Sequence, residues 1–177
     1  MLTIEVPERE FYNEVTGEFD YVSKTTLQLE HSLISLSKWE SKWKKAFLDQ
    51  NNLTRAELLD YIRCMTINQH VDPKAYSVIP AVELERVKEY IADPHTATTI
   101  YDTRPNTPGP KQIITSELIY WQMIYCGVPF ECEKWHLNRL MTLLRICNIK
   151  GTNTQMSMED IFAQNKMLNA ARRGGKR

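Results

Sequence analysis

Residues 129–148, PFECEKWHLNRLMTLLRICN, are the stretch that decides the fold. Their apolar side chains recur at helical spacings, which predicts one long amphipathic helix. The run holds a histidine and two cysteines but no complete catalytic or metal-binding motif, which favours a protein that packs and binds over one that turns over a substrate. We expect the inner stripe of this helix to comprise Trp135, Leu140, Leu143, Leu144 and Cys147.

The same periodicity predicts five further helices along the chain. Ser32 is the expected N-cap of the first helix. Thr54 and Glu57 have the spacing of a capping box that opens the second helix. The predicted helices cover residues 32–47, 54–71, 80–92, 115–125 and a last segment that starts at Ser157.

Alternating apolar residues predict strands before the first helix. Leu2, Ile4 and Val6 alternate with polar residues, and the pattern returns over residues 19–21 and 27–31. A small antiparallel sheet within the first 31 residues satisfies this pattern. The expected fold class is therefore mainly α, a helical domain of about six helices with a small N-terminal antiparallel β element.

These elements divide the chain into three predicted parts. Residues 1–31 form the small β element, residues 32–150 form the helical core domain, and residues 151–177 form a C-terminal helix and a basic tail. Inside the core domain, residues 93–112 are rich in proline, which predicts an exposed loop because proline cannot continue a helix or donate to a sheet.

The composition of the chain is that of an ordinary globular domain. It has 177 residues, of which 42% are hydrophobic and 25% charged, and its formal net charge is zero. Residues 1–20 nevertheless carry six acids and one base, whereas residues 111–177 carry ten bases and five acids. Such asymmetry is typical of interaction tails, of solvated faces, and of charge complementarity within one chain or head to tail between chains.

The compartment is predicted from targeting signals and cysteine usage. The first residues lack the basic and apolar regions of a signal peptide. No apolar run approaches the ~20 residues needed to cross a bilayer. The four cysteines include no C-x-x-C pair, which is typical of free thiols in a reducing compartment. We expect a cytoplasmic protein that does not contact a membrane.

Candidate chemistry near the long helix is incomplete. Cys132 and His136 lie four residues apart, with Cys126 nearby, but a structural zinc site requires about four ligands. A Cys-His nucleophile pair would need a third group to orient the histidine, together with oxyanion donors, and the sequence supplies neither. We therefore predict no catalytic residue, no metal ligand, no cofactor and no enzymatic activity.

The segment WESKWKK, residues 39–45, interleaves tryptophan with lysine. Such a pattern occurs on nucleic-acid-binding surfaces, where rings stack on bases and lysines meet phosphates. Trp39 and Trp43 are also spaced as a helical stripe that faces a core or a partner, with the lysines on the solvated side. A sequence pI of 6.9 argues against nucleic acid as the partner.

A resemblance to known proteins rests on four segments, which are LEHSLISLSKWESKWK (29–44), ITSELIYW (114–121), PFECEKWHLNRL (129–140) and LNAARR (168–173). These segments resemble small proteins of long-tailed, siphovirus-type bacteriophages that are read as tail assembly chaperones. The resemblance covers most of the chain, and its motifs are packing motifs that carry no chemistry.

The resemblance implies a non-enzymatic helper in the host cytoplasm. Chaperones of this kind hold the tape measure protein while tail tube subunits polymerise around it, so the implied partners are the tape measure protein, the tail tube protein and further copies of this chain. Either set of tryptophans can instead belong to the core, since buried large aromatics are the common case. The candidate partner-binding residues are Trp39, Trp43, Trp135, His136, Arg139, Arg172 and Arg173.

Two other functions fit the same sequence. A permanent structural component of the virion, such as a head–tail connector or a neck or tail subunit, would also present helices to a partner. A small DNA- or RNA-binding regulator would use the basic C-terminus, and its binding would weaken steeply with salt.

Overall fold

Residues 1–13, 17–50, 52–100 and 113–154 are described by the computed structural model. In this part of the chain four strands come first, namely β1 (Leu2–Val6), β2 (Arg9–Asn13), β3 (Glu18–Val22) and β4 (Thr25–Leu29). Five α-helices follow, namely α1 (Leu33–Trp43), α2 (Arg55–Met65), α3 (Ala81–Ala92), α4 (Ser116–Tyr125) and α5 (Leu137–Thr154). Short 3-10 helices lie at Phe47–Asp49, Pro73–Val78 and Phe130–Lys134.

The strands form two separate antiparallel pairs. β1 pairs with β4 from Leu2↔Leu29 to Val6↔Thr25. β2 pairs with β3 as a hairpin inserted between them. In the outer pair the alternation of the sequence is realised directly, because every second side chain turns inward. The inward side chains are fully buried, and they are Ile4, Val6, Leu27 and Leu29.

The prediction of a mainly α fold is wrong, because the described chain is a mixed α/β structure. Four strands make two sheets rather than one small β element. The β1–β4 pair shares one hydrophobic core with the helices, and α3 packs on β1. The strands are under-represented in the sequence prediction because short strands give only a few alternating residues each, whereas amphipathic helices give long periodic signals.

Four of the helices confirm the sequence predictions in position, and the two predicted caps, at Ser32 and Thr54, are confirmed. Ser32 caps α1, accepting from the backbone N–H of Ser35, and Ser35 bonds back to Ser32 as a capping box. Thr54 and Glu57 form the predicted capping box of α2. α2 ends at Met65, six residues before the predicted end. α1 ends at Trp43, four residues before the predicted end, because Lys44 takes a left-handed conformation that closes the helix.

The prediction of one helix over residues 129–148 is wrong at both ends. Residues 130–134 form a 3-10 helix, and the backbone at Trp135 is extended. His136 then forms a β-bridge with Ser32. The backbone N–H of Leu137 donates to His31 O at 2.7 Å, a tertiary bond that replaces an intrahelical one.

The end of α5 also differs from the prediction. α5 begins at Leu137 and continues through Thr154, across residues 151–154, which were predicted to be a linker. Residues 93–100 contain neither helix nor strand, in agreement with the predicted loop. Residues 101–112 of that loop, the predicted helix from Ser157 and the basic tail lie outside the described residues.

Residues 28–32 lie at the centre of the fold. Ile67 N–H donates to Gln28 O, and Glu30 N–H donates to Met65 O, both at 2.9 Å, so this segment is bonded to the end of α2. The bond from Leu137 attaches the same segment to the start of α5. The N-terminal sheet, α2 and α5 are thereby fixed to one another by main-chain hydrogen bonds that no local sequence pattern encodes.

Candidate partner-binding surface

α4 carries apolar residues around almost its whole circumference. Its sequence, SELIYWQMIY, buries Ser116, Ile119 and Met123 against the rest of the molecule. A surface helix normally presents a polar face to water, and a helix that is apolar all round is normally buried on all sides. α4 is buried on one side only, so its other side exposes apolar surface to solvent.

The α4 outer face consists of Leu118, Trp121, Ile124 and Tyr125. Trp121 is 61% exposed and Tyr125 is 70% exposed. Their rings stack on each other with centroids 5.5 Å apart. Residues at spacings of three and four project from the same side of a helix, so the four side chains form one contiguous patch. Large exposed patches of this kind mark interaction sites on soluble proteins.

Exposed apolar residues continue on both sides of the helix. Ile113 and Ile114 precede α4, and both are exposed. Phe130 follows it, also exposed, with its ring 6.3 Å from that of Tyr120. Apolar side chains are therefore exposed before and after the helix as well as on its outer face.

A buried carboxylate holds α4 in this position. Glu40 of α1 is buried, and its Oε2 accepts from the backbone N–H of Ser116 at 2.7 Å. Its Oε1 accepts from the backbone N–H of Phe47 at 2.9 Å. The side chain of Thr115, the N-cap residue of α4, makes no capping hydrogen bond, so Glu40 supplies the acceptor from another helix. A carboxylate at this point also complements the positive end of the helix dipole.

The predicted α1 surface lies mainly inside the protein. Trp39 is 0% exposed, and its indole N–H donates to Glu57 O at 3.0 Å. Trp43 is half-buried, donates to Asp60 Oδ2 at 2.8 Å and stacks on Trp39. Trp39 has no surface left for a partner, and Trp43 presents only part of its ring.

The lysines beside these tryptophans are paired with acids. Lys42 bonds Asp60, and Lys45 bonds Glu57 at 2.6 Å. Lys45 and the hydroxyl and backbone N–H of Thr54 lower the pKa of Glu57 to about 2. Because both lysines are paired with carboxylates of the same protein, they contribute little to phosphate binding. The structure therefore favours the packing interpretation of residues 39–45 over the nucleic-acid one.

The second predicted surface, at the start of α5, is divided between core and solvent. Trp135 is half-buried beneath the exposed Arg139, whose guanidinium lies 4.3 Å from the ring centroid. His136 is buried, its Nε2 bonds Tyr90 O at 3.0 Å, and its Nδ1 accepts from the backbone N–H of Asn138 at 3.3 Å. This places the proton of the neutral ring on Nε2. Arg172 and Arg173 lie outside the described residues.

His136 belongs to a cluster of three histidines. Its ring lies 5.1 Å from that of His31 and 4.0 Å from that of His95. His31 Nδ1 lies 2.5 Å from Tyr61 Oη in the core. Burial, together with the neighbouring His136 and His95, lowers the pKa of His31 to about 3. Burial also lowers the pKa of His136. Both rings therefore act as uncharged packing groups.

The described residues offer few groups for a metal site or for nucleophilic catalysis. Cys132 is buried on the 3-10 helix, and both ring nitrogens of His136 are engaged with backbone groups. Within residues 1–13, 17–50, 52–100 and 113–154, no group of three or more His, Cys, Asp or Glu side chains is arranged to hold a metal ion. None of the described helices is long and apolar enough to cross a membrane.

Comparison with known proteins found no matching family model, no matching curated protein and no matching solved structure. The resemblance to tail assembly chaperones, the implied partners and the cytoplasmic location therefore stay predictions.

The α4 outer face was not predicted from the sequence. The prediction gave a helix over residues 115–125 but did not distinguish the apolar residues that face the core from those that face solvent. The signal was present in the sequence, because Leu118, Trp121, Ile124 and Tyr125 occupy the side of the helix opposite Ile119 and Met123. Only one such side can face the core of a helix that lies on the surface.

Proposed function

We propose that this chain is a non-enzymatic tail assembly chaperone of a long-tailed bacteriophage, which binds the tape measure protein through the α4 outer face. The observation that carries the proposal is the exposed patch of Leu118, Trp121, Ile124 and Tyr125 on a helix fixed to the core. The resemblance of residues 29–44, 114–121, 129–140 and 168–173 supplies the class of partner.

The chemistry of the patch suits a helical partner. A tape measure protein exposes apolar stripes along a long helix, and such a stripe can lie along the face of another helix through anchors at spacings of three, four and seven. Trp121 and Tyr125 are the expected anchors, because large aromatics with few rotatable bonds dominate binding energy at interfaces. Glu117 at the edge of the patch lies near Lys44, so the patch carries little net charge.

A second candidate function is a permanent virion component, such as a head–tail connector or a neck or tail subunit. The same exposed patch favours it, because an apolar face of this kind also suits a stable interface between subunits. The two functions differ in the final location of the chain, because a structural component stays in the particle and a chaperone does not. We expect mass spectrometry of purified particles to detect no stoichiometric amount of this chain; a stoichiometric amount would favour the structural component.

Co-expression with the tape measure protein of the same genome tests the chaperone proposal. The wild-type chain is expected to keep the tape measure protein soluble and to co-purify with it. The double variant Trp121→Ser/Tyr125→Ser is expected to lose both effects while it remains folded, because both side chains are exposed. The fold of each variant is checked by circular dichroism and thermal unfolding.

A matched control removes two exposed apolar side chains elsewhere. Ile67 and Val82 are exposed on other parts of the molecule, so Ile67→Ser/Val82→Ser is expected to leave solubility and co-purification unchanged. Loss of binding in the control, or full binding by the Trp121→Ser/Tyr125→Ser variant, would refute α4 as the binding face. A tape measure protein that aggregates equally with and without the wild-type chain would refute the chaperone function itself.

A further inference from the structure

The β2–β3 hairpin presents a second surface with different chemistry. Its register pairs Glu10 with Tyr21 and Tyr12 with Phe19. Directly opposed residues in an antiparallel pair project to the same side, so these four side chains share one face. We name Glu10, Tyr12, Phe19 and Tyr21, together with Glu8, the hairpin outer face.

Three aromatic rings on this face are open to solvent. Tyr12 is 55% exposed, Phe19 is 70% exposed and Tyr21 is 59% exposed. The rings of Tyr12 and Phe19 meet edge to face with centroids 5.4 Å apart. The opposite side of the hairpin faces the protein, where Val22 is buried and Asp20 is paired with Lys74. The aromatic side is therefore the free side of the hairpin.

The same face is negatively charged. Glu8 and Glu10 are both exposed, and the hydroxyl of Tyr21 donates to Glu8 Oε2 at 3.2 Å. The charge of Glu8 raises the pKa of Tyr21. Arg9 projects from the other side of β2, opposite Val22. The outer face thus combines carboxylates with aromatic rings. One described base outside the hairpin, Lys24, lines the same cleft as Glu8 and is paired with Glu5 at 2.9 Å.

Rings flanked by carboxylates are a binding surface for cationic side chains. A guanidinium or ammonium group is attracted to the face of an aromatic ring, and it forms its strongest hydrogen bonds with carboxylates. A purely apolar partner would instead have to desolvate both acids without pairing them, at a cost in free energy. The chemistry of the face therefore selects a segment rich in arginine and lysine.

The chain itself contains such a segment. Residues 166–177, KMLNAARRGGKR, carry five bases and no acid. The chain from Thr154 to Lys166 spans at most about 40 Å when extended and about 18 Å as the helix predicted from Ser157. Either length carries the basic segment away from the end of α5. The hairpin and this segment also account for much of the opposite charge found at the two ends of the sequence.

We propose that the hairpin outer face binds the basic segment 166–177 of a second copy of this chain. The contact joins two unlike surfaces, so it repeats head to tail and builds a ring or an open array, depending on the rotation between successive copies. That the segment comes from a second copy and not from the same copy rests on the proposed function. A long helical tape measure protein is covered by an array of small proteins, and contacts between copies build such an array. The contact itself does not require the tape measure protein.

Sedimentation of the purified full-length chain at low and high salt tests this proposal. At about 0.05 M NaCl the wild type is expected to sediment as oligomers, and at about 0.5 M NaCl as a monomer, because exposed charge pairs are screened. Glu8→Lys/Glu10→Lys and Arg172→Glu/Arg173→Glu are each expected to weaken association at low salt by about tenfold or more. Their combination reverses both charges and is expected to recover part of the association.

A control variant with the same change in net charge distinguishes an effect of the hairpin from a general effect of charge on association. Glu89 and Glu131 are exposed on α3 and on the 3-10 helix at Phe130, and Glu89→Lys/Glu131→Lys is expected to associate like the wild type. A wild type that is monomeric at low salt overturns the proposal, whether the segment docks on its own hairpin or on nothing. Failure of the combined variant to recover also overturns it. Since the tape measure protein is not used, either result leaves the proposed function to its own test.

Discussion

The α4 outer face and the hairpin outer face both expose aromatic rings, but they are built in different ways. α4 lies on the hydrophobic core and is fixed to α1 by Glu40, and its exposed side chains carry little net charge. The hairpin is a two-stranded sheet on its own, and its rings are flanked by Glu8 and Glu10. Exposed rings alone therefore do not specify a partner, because the neighbouring charges decide whether an apolar helix or a basic segment binds.

The largest expected effect comes from removing the anchor of α4. Glu40→Ala would leave the backbone N–H groups of Ser116 and Phe47 buried without an acceptor, and each such loss costs about 1–3 kcal/mol. We expect the variant to lose about 2–4 kcal/mol of unfolding free energy in urea denaturation. Hydrogen exchange is expected to quicken in α4 and to stay unchanged in the hairpin.

Glu40→Gln is the matched control, since its amide oxygen retains one of the two acceptors. We expect it to be less destabilised than Glu40→Ala. If the two variants unfold with the same free energy, or if the hairpin loses protection as strongly as α4 does, then Glu40 is not a specific anchor of α4.

The next largest expected effect is the dependence of stability on pH, which arises in the core and not in the hairpin. The pKa of His31 is lowered to about 3 in the folded protein, so below pH ~6.5 the unfolded chain binds a proton that the folded chain does not. Stability is complete above that pH and decreases as the pH falls from 6.5 towards 3. The expected slope is about 1.4 kcal/mol per pH unit for His31 alone.

Urea denaturation between about pH 7 and pH 5 measures this slope. His31→Gln is expected to be less stable at pH 7 but to have a shallower dependence on pH, because the variant lacks the buried ring whose pKa is lowered. A wild-type stability that is flat over this range would contradict the account of the histidine cluster. The hairpin, residues 9–22, contains no histidine and should not contribute.

Binding through the α4 outer face and binding through the hairpin outer face should depend differently on salt concentration. Between about 0.05 and 0.5 M NaCl we expect the affinity of the α4 face for the tape measure protein to change by less than about threefold, because apolar burial is not screened. Self-association through the hairpin should fall by about tenfold over the same range. If both interactions weaken equally, as measured by calorimetry and sedimentation, the distinction between the two surfaces is wrong.

The smallest effect concerns the folding role of the hairpin rings. Phe19→Thr removes the edge-to-face contact with Tyr12 but keeps a residue that favours strands. Cross-strand pairs contribute about 0.2–1 kcal/mol, so we expect the unfolding free energy to fall by no more than about 1 kcal/mol. A loss above about 2 kcal/mol would show that Phe19 serves the fold rather than a partner.

Local signals in the sequence predicted the regular elements well. The helices α1 to α4 and the caps at Ser32 and Thr54 follow from periodicity and from the orphan donors at a helix start. The alternation of Leu2, Ile4 and Val6 likewise predicted β1. The prediction gave the strands too small a part in the fold, and it wrongly made residues 129–148 one continuous helix.

The candidate site was harder to predict than the elements. Trp39 and Trp121 are similar in the sequence, since each lies in an apolar helical pattern, yet Trp39 is in the core and Trp121 is on the surface. Periodicity places side chains on the faces of a helix, but it does not determine which face another element will cover. That outcome depends on contacts between residues far apart in the chain.

The sequence by itself determined the positions of α1 to α4 and of β1, and the opposite charges of the two ends, because these depend on neighbouring residues. Only the tertiary structure decided that His136 pairs with Ser32 and breaks the long helix, that Glu40 caps α4, and that one apolar side of α4 remains in solvent. Each of these outcomes joins residues distant in the sequence, and the free energy of such contacts exceeds the local preferences they override.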